Sequence, residues 1–232
     1  MQFPADVSST PEFSGAVPLF PLPSVSLFPN VMLPLHVFES RYRQMVDDVL
    51  KTHRTIAMAV LQEGWQINYE TNSCPLHRAV CLGQIVADER LDDGRYFLLV
   101  QGLCRAELDH ELESDKPYRI GQIIVRKDVY PSTPVIDRDH RQQELVHYFK
   151  QIFDDLDLDS SLIQALESGV PLGELCDVIA HAMRPDADSA KRLLEQFDVD
   201  QRSDLVLELL KLQYRRTRSA IPRIFPPTFS LN

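Results

Sequence analysis

The sequence predicts an α+β protein in which strands come first and helices second. Three observations predict it. Up to about residue 131 the apolar residues fall in short stretches bounded by Pro, Gly and Asp, as strands do. The segment Asp92-Asp93-Gly94-Arg95 joins two such stretches as a hairpin, because glycine accepts the positive φ of a tight turn. From Val135 onward the apolar spacing takes the period of a helix, and Pro131 and Pro134 stop either pattern from running through.

Residues 1–15 are small, polar and proline-containing, and are expected to form a poorly ordered tail. Between Val17 and Val37 prolines punctuate apolar stretches; each proline ends a strand or lies on its edge, since it cannot donate to a ladder. Met32, Pro34, His36 and Phe38 alternate with Leu33, Leu35 and Val37, and both sets are largely apolar, so this strand is expected to be buried on both faces. Glu39-Ser40-Arg41-Tyr42 opens a helix to about Thr52, with Tyr42, Met45, Val46 and Val49 at helical spacing. Further strands are expected at Ile56–Leu61, Val80–Arg90, Tyr96–Leu108 and Tyr118–Val129, with a polar loop from Gln62 to Pro75. In the second half Leu145, Phe149, Ile152 and Phe153 share a helix face, with Asp137 as N-cap. Helices follow at Ser161–Glu167 and Leu172–Met183, then one capped by Asp186 and Asp188 through Phe197, then one from about Asp200 to Arg218. The expected units are a β-rich lobe over 16–131, a helical lobe over 135–218 and an apolar, proline-rich tail over 219–232.

A chain of 232 residues with 44% hydrophobic residues can bury a real core. The net charge of -10 argues against a nucleic-acid partner, because phosphate binding draws on clustered Lys and Arg. The longest apolar run, Ile56–Leu61, is far too short for a membrane span. No secretory signal opens the sequence, and Cys74, Cys81, Cys104 and Cys176 are irregularly spaced, so a cytoplasmic protein with free thiols is expected.

Three segments in order, Pro18-Leu19-Phe20-Pro21-Leu22, Phe28-Pro29-Asn30 and Leu33-Pro34-Leu35-His36-Val37-Phe38-Glu39-Ser40-Arg41-Tyr42, resemble the start of the Lon protease N-terminal domain family. Asn30 stands where the family has glycine, and Asn also tolerates left-handed φ. Cys81-Leu82-Gly83-Gln84-Ile85-Val86 with Asp93–Gly102 is similar to a second signature, and Gly173–Leu210 to the family's C-terminal bundle. The resemblance covers Val17 to Leu212 and implies a PUA-like pseudo-barrel followed by a helical bundle. It also implies a substrate-binding module. Lon proteases carry an ATPase and a Ser-Lys peptidase after this domain. No G-x-x-x-x-G-K-[S/T], G-x-S-x-G or H-E-x-x-H occurs here, so a stand-alone, non-enzymatic form is expected.

Candidate sites are few. Cys74, His77 and Cys81 lack the fourth ligand of a structural zinc site, and Asp155, Asp157 and Asp159 lack the glycine and glutamate of a calcium loop, so no metal and no cofactor is expected. His36 is expected to hydrogen-bond and orient the strand–helix junction beside Glu39; Glu39 and Arg41 form an ion pair or simply charge the helix start. Trp65 and Tyr69, aromatics in a long polar loop, suit a contact surface. With Phe38 and His36 they are the candidate peptide-binding residues. The expected partners are unfolded or partly unfolded proteins and, by resemblance, a Lon-type protease. Two other readings are an RNA-binding PUA-like protein, which the acidic balance opposes, and a subunit acting with a separately encoded ATP-dependent protease.

Overall fold

The structure, a computed structural model, describes residues 14–23, 25–69, 71, 73–153 and 169–220. In chain order the elements are β1 (Ala16–Pro21), β2 (Met32–Val37), α1 (Ser40–Val49), β3 (Thr55–Leu61), β4 (Leu76–Arg90), β5 (Tyr96–Leu112), β6 (Ile120–Arg126), α2 (Arg138–Phe153), α3 (Leu172–Met183), α4 (Ala187–Glu195) and α5 (Val199–Ala220). A 3-10 turn, Trp65–Ile67, interrupts the loop between β3 and β4.

Strand β5 organises the sheet because its two halves take different neighbours along one edge. Tyr96–Gln101 pairs with β2, and Arg105–Leu112 pairs with β6. Its other edge pairs with β4, which leads through β3 and the parallel β1 back to β6. Five strands, β5-β4-β3-β1-β6, therefore close on themselves, while β2 lies outside the ring with one edge unpaired among the described residues. This is the pseudo-barrel that the resemblance implies. Register shifts in the β4–β5 ladder at Leu82/Gly83 and Ile85/Ala87 bend the long hairpin enough to serve both neighbours.

Alternation along the strands separates two apolar clusters. Leu19, Ala57, Ala59, Val80, Leu82, Ala106, Leu108 and Ile123 fill the barrel interior, where a ring of five strands leaves room for small side chains. The opposite faces, including Phe20, Ile56, Met58, Val60 and Cys81, join one core with Tyr42, Met45, Val46 and Val49 of α1 and with the helices. Leu145, Phe149, Leu175, Ile179, Leu193, Val206 and Leu210 belong to that same core, so helices and sheet share one apolar interior.

The helix ends follow their sequences. Asp137 accepts from the N–H groups of Asp139 and His140, and Asp186 from Ser189 at 2.8 Å. Asp188 sits inside the first turn of α4 and is not its cap. Arg184, at φ 48, ends α3 in the left-handed region before Pro185. No helix or strand runs through residues 131–134. Three buried charges, Arg105, Asp177 and Arg202, together with the partly exposed Asp128, tie the helices to the barrel. Arg105 of β5 donates to Asp177 of α3 through both Nη atoms, and Arg202 of α5 does the same to Asp128.

Three expectations are corrected. β2 is buried on one face only: Met32 is 41% and Phe38 61% exposed, because β2 is an edge strand whose outer face carries no layer among the described residues. The strand expected at Tyr118–Val129 is β6 alone; Tyr118 turns its hydroxyl to Asp48, and Val129 makes an isolated bridge to Asp198. Ser14 and Gly15, expected in the tail, are already attached to the barrel, since Gly15 O accepts from Ile123 N–H. The Ser161–Glu167 helix, the Asp155–Asp159 segment and residues beyond 220 lie outside the described residues. No described helix is long and apolar enough to cross a membrane.

Candidate functional site

The unpaired edge of β2 borders an open cleft of about 940 Å³. One wall is Pro34–Phe38; the other is the end of β1 and the turn after it, with Phe20, Leu22, Pro23 and Val25; Tyr42, Tyr69 and Pro117 close the ends. Sequence places these walls. Pro21 and Pro23 stop β1 before it can pair further, and β5 has turned away to β6, so among the described residues nothing fills the gap beside β2. The position of β2 is set at Gly102, whose N–H donates to Val31 O at 2.9 Å and whose O accepts from Asn30 N–H at 3.0 Å. A Cβ on Gly102 would sit 1.9 Å from Phe28 O, so only glycine lets the 28–31 segment lie on the sheet there. Asn30 takes φ 63, the left-handed conformation anticipated for it.

Arg41 locks the cleft's far end. Its guanidinium bonds Glu39 at 3.0 Å and Tyr69 O at 3.0 Å, while Tyr69 Oη donates to Glu39 Oε1 at 2.9 Å. The Arg41 guanidinium also lies over the rings of Tyr42 and Tyr69. Burial opposes the Arg41 charge, but Tyr42 and Glu39 outweigh it and raise its pKa. Burial, reinforced by the hydrogen bond to Glu39, pushes the Tyr69 hydroxyl up to about 12, so it stays a donor. Glu39 and Arg41 are thus an ion pair that fastens the 62–75 loop to the start of α1.

The structure gathers three of the four candidate residues, His36, Phe38 and Tyr69, on the cleft. Trp65 does not line it; half-buried, it packs edge-on against Tyr69 at 5.3 Å and supports that ring from behind. His36 makes no bond to Glu39, whose carboxylate Arg41 and Tyr69 occupy. It stacks instead on Phe97 at 4.8 Å on the exposed face. That contact extends the apolar surface: Phe97 is 48% exposed, and His36 also lies 6.0 Å from the Phe38 ring. Sequence reasoning missed Leu22, Val25, Phe97 and Pro117, since nothing local marks which apolar residues a gap between strands will expose. The Pro21-Leu22-Pro23 spacing was the available signal, because it forbids further pairing there.

Metal chemistry finds no support at the spaced cysteines. Cys74 Sγ bonds Trp65 O, Cys81 is buried in the main core, and His77 faces Lys191, Glu195 and Asp188 of α4. Among the described residues no three His, Cys, Asp or Glu side chains converge.

Residues 16–212 match the model of the ATP-dependent protease La (LON) substrate-binding domain. The chain belongs to that family. It is 25% identical over 218 residues to a Lon protease of Dictyoglomus thermophilum, covering 92% of this chain and 26% of that protein. A Lon protease of Xanthomonas oryzae is 26% identical over 203 residues, covering 84% of this chain and 22% of that one. The chain therefore spans about a quarter of the length of the curated relatives it matches. Among solved structures, the N-terminal domain of Mycobacterium avium complex Lon protease superposes with a TM-score of 0.61 at 15% identity, over 84% of this chain and 98% of that one. A Lon N-terminal domain protein of Xanthomonas campestris gives 0.59 at 18% identity, over 83% of this chain and 97% of that one. These likenesses establish a shared fold.

Proposed function

We propose that this chain is a non-enzymatic, cytoplasmic module that binds exposed apolar segments of unfolded or partly unfolded proteins, and does so in connection with a Lon-type protease. The observation that carries this reading is the open apolar cleft beside β2, which includes the exposed Phe38 and continues through His36 to the exposed Phe97. Large apolar side chains left in water over a contiguous area are the mark of a binding surface. Burying them against a client contributes about 25 cal/mol per Å² before ordering costs are met. Membership of a substrate-binding family supports the same role. Neither ATP hydrolysis nor peptidase activity is needed for it.

The test is fluorescence anisotropy of a labelled, tryptophan-free, permanently unfolded polypeptide titrated with the protein. Saturable binding is expected, with a blue shift of Trp65, the chain's single indole, as Tyr69 is covered. Phe38→Ala and Tyr69→Ala are each expected to weaken binding by about 1–2 kcal/mol, close to tenfold. Phe38→Ala should leave the melting temperature unchanged, because that side chain is mostly solvated already. Unchanged affinity in both variants would place the site elsewhere. No binding by the wild type would refute the function.

A further inference from the structure

We propose that the cleft takes its ligand as an added β-strand: an extended polypeptide segment that hydrogen-bonds to the free edge of β2 and lays every second side chain into the cleft. This rests on the peptide-binding reading above and specifies how the client is read. The geometry points to it through the main chain of β2. Val31 O accepts from Gly102 N–H, so Val31 faces β5. Main-chain groups alternate in direction along an antiparallel strand, so Leu33, Leu35 and Val37 face β5, and Met32, Pro34 and His36 face outward. Pro34 and His36 of this outward set line the cleft, and among the described residues no other main-chain group bonds to the set.

A row of carbonyls and N–H groups at strand spacing is complemented by another extended main chain, which supplies the same groups at the same repeat. The apolar walls complete the match. In an added strand, side chains level with Leu35 and Val37 would lie over Phe20, Leu22 and Val25, and the alternate ones would lie beside His36 and Phe38. The segment recognised is therefore one with apolar residues at alternate positions, read through its main chain and so tolerant of sequence. Pro34 selects against a second copy of this chain as the occupant. It sits in the outward set without an N–H, and two β2 edges paired together would carry that gap twice, whereas a foreign strand meets it once.

The experiment uses the isotope-labelled protein and a ten-residue peptide with leucine or valine at alternate positions and serine or threonine between. At saturation the His36 amide is expected to exchange with solvent at least tenfold more slowly. The Leu35 and Val37 amides, already bonded to β5, should keep their rates. The same peptide N-methylated along its backbone keeps its side chains, loses its donors, and is expected to bind at least tenfold more weakly. If the unmethylated peptide saturates while His36 exchanges at its free rate, strand addition is wrong and the binding function stands. If the peptide does not bind at all, the function fails and this mode fails with it.

Discussion

Arg105 and Arg202 are fully buried, and each carries a full charge that water no longer solvates. Their carboxylates make that tolerable. Asp177, itself 1% exposed, accepts from both Nη atoms of Arg105, and Asp177 Oδ1 also lies 3.7 Å from Arg202 Nε, an atom with no hydrogen bond among the described residues. Burial acts to lower the Arg202 pKa, and Asp177 and Asp128 more than reverse it, so the net shift is upward. Removing one member should strand the rest: Asp177→Ala is expected to cost about 3–5 kcal/mol in urea unfolding, the usual price of an orphaned buried charge. A loss under about 1 kcal/mol would mean that the arginines find other partners or water. None of this was legible in the sequence. The four residues lie far apart in the chain and carry no motif, whereas the Asp137 and Asp186 caps, which act within three residues, were read correctly.

At the scale of elements, β2 shows where patterning stops informing. An apolar set at alternate positions reads the same whether a layer covers it or not, so Met32, Pro34, His36 and Phe38 looked like a second buried face. Only the folded strand order and the exposure of Met32 and Phe38 reveal that, among the described residues, no layer covers them. Pro34 does mark an edge strand, since proline cannot donate to a ladder, but an unpaired edge says nothing about whether a layer covers the face. The placement of β2 in turn hangs on Gly102. Gly102→Ala drives a Cβ into the Phe28 carbonyl, and because backbone must move, a loss of about 1–3 kcal/mol is expected. Peptide affinity should fall with it, as the 28–31 segment lifts and shifts the cleft wall. Wild-type stability and affinity in this variant would show that the segment relaxes without moving β2.

For the whole molecule, the change of period near residue 131 foretold strands then helices, but not that both halves share one core. That sharing gives the fold a pH dependence. His181, at the end of α3, is held below its ordinary 6.5 first by burial and then by Arg184. Unfolded chains therefore take up this proton before folded ones do, so its contribution is complete above about pH 6.5 and is lost as pH falls from there toward the folded pKa. His77, lowered by burial against α4, adds the same sign. The melting temperature is expected to fall between pH 7.5 and 5.5, and His181→Leu should flatten that fall without abolishing it. An identical slope in the variant would assign the dependence to other groups.

Closure of the ring has a further consequence, during synthesis. Ala16–Pro18 pairs with Ile120–Gln122, so β1 must wait for β6, the last of the described strands, before the barrel can close. Val206 and Leu210, part of the main core, leave the ribosome later still. Throughout that interval the apolar strands of the N-terminal half stand exposed at the tunnel exit, with their most distant contacts still missing. Until those late residues arrive, the chain itself presents the kind of exposed apolar strand that the proposed cleft would hold.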